Sequence, residues 1–169
     1  MSDSNPTRAE ALETLSDLIH DIRIAMLTTI DPDGLPWSRP MAVQQSDPFD
    51  GTLWFFTGAD SDKVPHIEAR PEVGVVFAQP DDQAYVTLAG RATISNDRAK
   101  IAELWSEPLR AWFTDGPDDP QIRLIQVDLD RAEYWDSPSS AVMYALSYVK
   151  AVVTGEPATD TGEDVQISF

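Results

Sequence analysis

The chain has 169 residues, enough for one domain with a sizeable core, and 42% of them are apolar, an ordinary globular share. Its 29 acidic and 12 basic residues leave a formal net charge of −17. That charge excludes sequence-independent binding to nucleic acid or anionic membrane, which relies on counterion release to basic residues. With no cysteine, disulfide, thiolate-metal and thiol redox chemistry are excluded too. No run approaches the roughly 20 apolar residues that span a bilayer. Met1 is followed by Ser-Asp-Ser-Asn-Pro rather than a basic start and an apolar stretch, so the expected location is the cytoplasm. An anionic ligand would bind only where local Arg, Lys and backbone N–H groups override the global field.

In chain order, residues 1–6 read as a tail, 7–155 as the domain and 156–169 as an acidic, disordered tail with no basic residue. Thr7 to Ile22 predicts an amphipathic helix, with Leu12, Leu15, Leu18, Ile19 and Ile22 three and four apart. Either Asn5-Pro6 or a Thr7–Glu10 capping box starts it. From Ile24 the period becomes that of strands. Ala25 to Ile30 ends in the turn Asp31-Pro32-Asp33-Gly34, and Trp37 to Gln44 returns. Leu53 to Thr57 is a strongly apolar strand. Ser61 to Arg70 reads as a short helix stopped by Pro71. Val73 to Ala78 and Ala84 to Ile94 are strands. Asp97 to Trp112 is one or two short helices broken by Pro108, and Asp115 to Pro120 is a loop. Ile122 to Trp135 alternates as the last strand, and Ala141 to Val153 is the expected final helix. Six antiparallel strands with short turns and small helices predict a closed or split barrel. No GxGxxG or P-loop occurs.

Two segments carry what an anionic aromatic ligand needs. In Ser38-Arg39-Pro40-Met41-Ala42-Val43, an arginine stands in a strand just after a turn. Its planar fork suits a phosphate or the carbonyl edge of a heterocycle. A rim arginine paired with Asp33 or Asp47 is the plainer alternative. In Thr57-Gly58-Ala59-Asp60-Ser61-Asp62-Lys63, hydroxyls, a glycine and a lysine precede a helix. Helix capping by Ser61 or Asp60, with Lys63 in solvent, explains that segment equally.

Together these segments resemble the FMN-binding split barrel of the pyridoxamine phosphate oxidase superfamily. There, an Arg-x-Met strand and a later Ser-x-Lys step bind FMN. Tyr85 to Ala92, with Gly90, is similar to the strand beside the flavin, often across the dimer. Leu104-Trp105 through Pro108, Ala111-Trp112-Phe113, Gly116 to Pro120 and Ala132 to Asp136 resemble the general stress protein 26 branch. The resemblance covers about Leu12 to Gly155. It implies a six-stranded antiparallel split β-barrel with peripheral helices, FMN as cofactor and a homodimer. Carried over by position, Arg39, Met41 and Val43, with Pro40 between them, line the flavin ring. Thr57, Ser61 and Lys63 hold the phosphate and ribityl chain, with Gly58 in the same turn. Tyr85 stands where the oxidases often carry glutamine, and Asp62 where they often carry arginine. Asp62 is expected to point away from a phosphate. The oxidases' C-terminal substrate segment has no counterpart, so pyridoxamine phosphate oxidation itself is not expected.

Trp105, Trp112 and Trp135 suggest packing or an interface more than a wall over a ring, and Trp112 is the candidate pocket lid. His20 and His66 lack metal-ligand spacing and read as surface or capping residues. Asp118-Asp119 reads as a solvated turn. Two functions follow from the resemblance. One is a stress-associated flavin oxidoreductase, reduced by a nicotinamide or similar donor. The other is a non-catalytic protein that stores, senses or buffers FMN. A deazaflavin or haem in the same barrel is a further alternative.

Overall fold

The computed structural model describes residues 7–81, 84–136 and 163–168. Helix α1, Arg8–Ile19, begins with the capping box: the Thr7 hydroxyl accepts from the Glu10 backbone N–H, and the Glu10 carboxylate accepts from that of Thr7. Its Ala11, Leu15 and Ile19 are buried in the main core. The strands are β1 Ile24–Ile30, β2 Pro36–Gln45, β3 Thr52–Gly58, β4 Glu72–Gln79, β5 Ala84–Ser95, β6 Ile122–Asp136 and β7 Glu163–Ser168. Between them lie α2, Lys63–Ala69, α3, Arg98–Leu104, and a 3-10 helix, Glu107–Ala111.

All pairings are antiparallel, in the order β3-β2-β1-β4-β5-β6-β7, and β3 also pairs with β6. That last pairing closes six strands into a barrel, as the alternating strands and short turns predict. Its interior holds Leu27, Leu53, Phe55, Val75, Phe77, Leu88, Ile125 and Val127. A second apolar cluster forms outside β3 and β6. There Phe56, Ile122 and Leu124 meet Ile101 of α3 and Leu109 of the 3-10 helix. Trp105 packs edge-on to Phe56 in this cluster, at 6.1 Å between centroids. Its role is packing. Pro108 opens the 3-10 helix that follows α3, so Asp97 to Trp112 does contain two short helical pieces.

One segment corrects its sequence reading. Residues 163–168, expected within a disordered tail, form β7 along Arg131–Asp136 of β6. The reason is the length of β6. β3 covers its outer edge only to Asp128, and the six residues Arg131 to Asp136 take β7 there instead. Val165 and Ile167 alternate with Asp164 and Gln166, a strand pattern hidden by the acidity of the stretch. The expected helix over 141–153 lies outside the described residues.

At Ala89/Gly90 the register against β6 shifts, so Gly90 pairs with Leu129 and Ala89 with Arg131. This bulge brings the Asp128 carbonyl oxygen to 2.2 Å from where a Cβ on Gly90 would lie. The obstacle is backbone in a closed barrel and has no rotamer with which to retreat. Gly90→Ala is therefore expected to destabilise the fold by about 1–3 kcal/mol or more, read as a fall in thermal midpoint. An unchanged midpoint would contradict the tight β5–β6 crossing.

Candidate functional site

The site is built where β2, β3 and the start of α2 converge. Residues 37, 39, 41 and 43 share one face of β2. Arg39 pairs with Leu27 and Met41 with Ala25, and both partners are buried in the main core. Arg39 thus leaves the barrel wall on its interior side, above Met41 and Val43, which pack against the core. Its Nη1 donates to Thr29 Oγ1 at 2.6 Å. Its Nη2 is buried and has no hydrogen-bond partner.

The second cation comes from the β3–α2 turn. Lys63 Nζ donates to Ser61 Oγ at 2.5 Å and to Thr57 Oγ1 at 3.2 Å. Thr57 is the last buried side chain of β3, and Asp62, whose side chain makes no capping bond, is the N-cap of α2. Ser61 therefore does not serve as the cap; its hydroxyl holds the lysine. Gly58 lies in the same turn, where its carbonyl accepts from Ser61 N. The Asp60 carboxylate folds to 2.8 Å from where a Gly58 Cβ would lie.

Burial lowers the pKa of both cations from their ordinary values, and for Lys63 the nearby charge of Arg39 adds to the lowering. Asp62 acts in the opposite sense on both, and Asp60 on Lys63. Asp62 thus lies close enough to affect the pair electrostatically without bonding to either cation. Yet among the described residues no carboxylate comes within ion-pair distance of Arg39 or Lys63. Arg39 is paired with neither Asp33 nor Asp47. Two partly desolvated cations, near enough for Arg39 to lower the pKa of Lys63, have neutral hydroxyls as anchors. This arrangement costs free energy until an anion arrives, and the orphaned Nη2 is a donor ready for it.

The structure therefore brings together Arg39, Thr57, Gly58, Ser61 and Lys63. Met41 and Val43 follow Arg39 along the same face of β2. Pro40 lies on the opposite face, exposed and paired with Met26. Tyr85 is likewise on the outside, opposite Trp135 on β6. Trp112 ends the 3-10 helix 73% exposed, while neighbouring Phe113 packs on Phe56. Within one chain, none of these three joins the cation pair. Sequence reasoning missed Thr29. Its signal was a hydroxyl on the same strand face as Ala25 and Leu27, which needs a partner once buried. His20 is exposed beside Asp21, at 3.0 Å. His66 is half-buried, and its Nδ1 has no partner. Among the described residues no cluster of three His, Asp or Glu side chains is placed to hold a metal, and no helix is long and apolar enough to cross a membrane.

Residues 10–159 match the family described as pyridoxamine 5'-phosphate oxidase like. Protein bli-3 of Neurospora crassa is 27% identical over 89% of this chain and 76% of its own length. A solved structure described as a general stress protein 26, from Jannaschia sp. CCS1, superposes with a TM-score of 0.73. It is 28% identical and covers 95% of this chain and 99% of its own. The general stress FMN/FAD binding protein of Xanthomonas citri superposes with a TM-score of 0.67 at 27% identity, covering 79% of this chain and 92% of its own.

The cation pair has a direct signature. Lys63 is expected to titrate below a surface lysine, and Arg39→Ala to move it back upward, followed by NMR of its ε-methylene. Ordinary titration, indifferent to that substitution, would show that the two charges do not share a site.

Proposed function

Because the chain belongs to the pyridoxamine 5'-phosphate oxidase-like family, we propose that it is an FMN-binding flavoprotein acting as a homodimer. In this reading the flavin passes electrons from a two-electron donor, such as a reduced nicotinamide, to a small acceptor. One observation carries the reading: Arg39 and Lys63, close enough for the charge of one to lower the pKa of the other, are partly buried without an ion-paired carboxylate and with Nη2 unsatisfied. A phosphate is the ligand chemistry that suits two such cations and the Ser61 hydroxyl. The mutual proximity of the pair favours assigning both cations to the phosphate, rather than Arg39 to the ring alone. Met41, Val43 and the β2 backbone beyond Arg39 then flank the ring system. When bound, the flavin supplies the redox chemistry; the chain orients it and sets the charge around it.

The outer face of the sheet supports the dimer. Pro40, Met26, Val76, Thr87 and Glu133 stand in register across β2, β1, β4, β5 and β6. Beside this row Ile24, Met26, Tyr85 and Trp135 are all exposed. These exposed apolar side chains on one face fit a second copy, self-complementary about a two-fold axis. Pro40 and Tyr85, remote from the cations of their own chain, would then belong to the contact between copies.

The test is titration of the purified protein with FMN, followed by flavin fluorescence and absorption. Stoichiometric uptake is expected. Arg39→Ala and Lys63→Ala should each weaken it by about ten- to a hundredfold, the worth of one charge-assisted hydrogen bond. Affinity should fall as pH rises through the lowered pKa of Lys63, since deprotonation removes one of the two charges; that fall begins below the ordinary lysine range. Failure of the wild-type chain to bind FMN would overturn the reading. Met26→Asp is expected to give monomers in size-exclusion chromatography with light scattering. An unaltered dimer would place the interface elsewhere.

A further inference from the structure

Among the described residues the buried polar side chains are Thr29 and Thr57. Each anchors one of the two cations, Thr29 taking Arg39 Nη1 and Thr57 taking Lys63 Nζ. We propose that Thr29 is the positioning residue of this site: its hydroxyl locks the Arg39 guanidinium so that Nη2 faces the ligand, and its neutrality leaves the arginine's charge available to an anion. The ligand half of this proposal rests on the flavin reading; the locking of Arg39 does not.

Three features of β1 carry it. Thr29 is fully buried on the interior face of a strand whose other interior residues are Ala25 and Leu27. A hydroxyl in that row is costly unless it is bonded, and the bond it makes is to Arg39. As a β-branched residue in a strand, threonine has few χ1 rotamers, so its oxygen is aimed before any ligand arrives. The neighbouring hydroxyl behaves differently. Thr28 faces the other side of the sheet and bonds Ser38 Oγ at 2.7 Å, within the β1–β2 pairing.

A guanidinium with one Nη held and the other free is a fork fixed at one tine. Rotation about its Nε–Cζ bond would break the Thr29 bond, so Nη2 keeps its direction. A carboxylate at position 29 would fix the fork equally well. It would also neutralise the charge that an anion must find in a molecule of net charge −17. A neutral acceptor separates the two jobs: geometry comes from the threonine, attraction from the arginine.

The experiment compares wild type, T29V, T29S and the control T28V. Each is titrated with FMN, and the Arg39 guanidinium nitrogens are followed by NMR in the ligand-free protein. T29V keeps the shape and removes the acceptor, so FMN affinity should fall about tenfold, and the separate Nη1 and Nη2 signals should merge as the group rotates. T29S should restore the separate signals and affinity to within about threefold of wild type, and T28V should change neither. Wild-type affinity and unchanged guanidinium signals in T29V would overturn the proposal. Equal losses in T29S and T29V would overturn it too, since they would make the methyl group, not the hydroxyl, responsible. If T29V does not fold, a freely rotating Arg39 in wild type and T29S refutes the lock, and a slow one sustains it. If wild type takes up no FMN, the flavin reading falls, and the guanidinium signals alone decide the role of Thr29.

Discussion

Two interacting cations in a half-buried place, without a carboxylate bonded to either, form the constraint around which the rest of this structure is arranged. Bringing Arg39 and Lys63 together opposes both solvation and Coulomb repulsion, so the fold must hold them with other interactions. It does so from three strands. β1 supplies Thr29, β2 supplies Arg39, and β3 supplies Thr57 near its end, just before the turn that carries Ser61 and Lys63. These strands are neighbours in the sheet, and the spacing of the site is the spacing of the sheet. Barrel closure through β3 and β6 fixes the far side of β3. Arg39 thus rests on a strand paired with β1, and Lys63 on the first residue of α2, just after β3.

The same constraint gives the net charge its place in the account. A field of −17 repels anions at long range, and Asp60 and Asp62 add to that near Lys63. An anion at Arg39 and Lys63 would have to be held at short range, by donors that burial has already partly desolvated. Asp62 moderates the pair and lessens the cost of holding it without bonding to it. The second apolar cluster keeps α3 and the 3-10 helix against β3 and β6. Its contribution to the site is indirect: it braces the outer side of the strand that ends at Thr57.

Much of this was legible in the sequence because its physics is local. The Thr7–Glu10 box, the alternation along β6 and the Asp-Pro-Asp-Gly turn each declare themselves within a few residues. Arg39 and Lys63 stood out as basic groups beside turns in an acidic chain. What escaped depends on register and on long-range pairing. Thr29 becomes meaningful only when the strand face it shares with Ala25 and Leu27 is known to be interior. β7 was concealed because composition averages over a stretch, whereas pairing uses alternate residues. Gly90 read as a family feature, and only the bulge against Asp128 shows the steric reason for it. Trp112, attractive as a lid, lies outward because Phe113 takes the inward position against Phe56.

Membership in the family accounts for the barrel. This chain holds Arg39 and Lys63 through hydroxyls whose neutrality leaves both charges unspent. Charge recognition by Arg39 and Lys63 can be measured by calorimetric titration with FMN and with riboflavin under matched salt and pH. The two ligands share a ring system and differ in the phosphate. FMN is expected to bind at least about a hundredfold more tightly, since two charge-assisted contacts are lost with the phosphate, and added salt to narrow the gap. Equal affinity for the two ligands would contradict this expectation and would leave the cation pair without the role assigned to it.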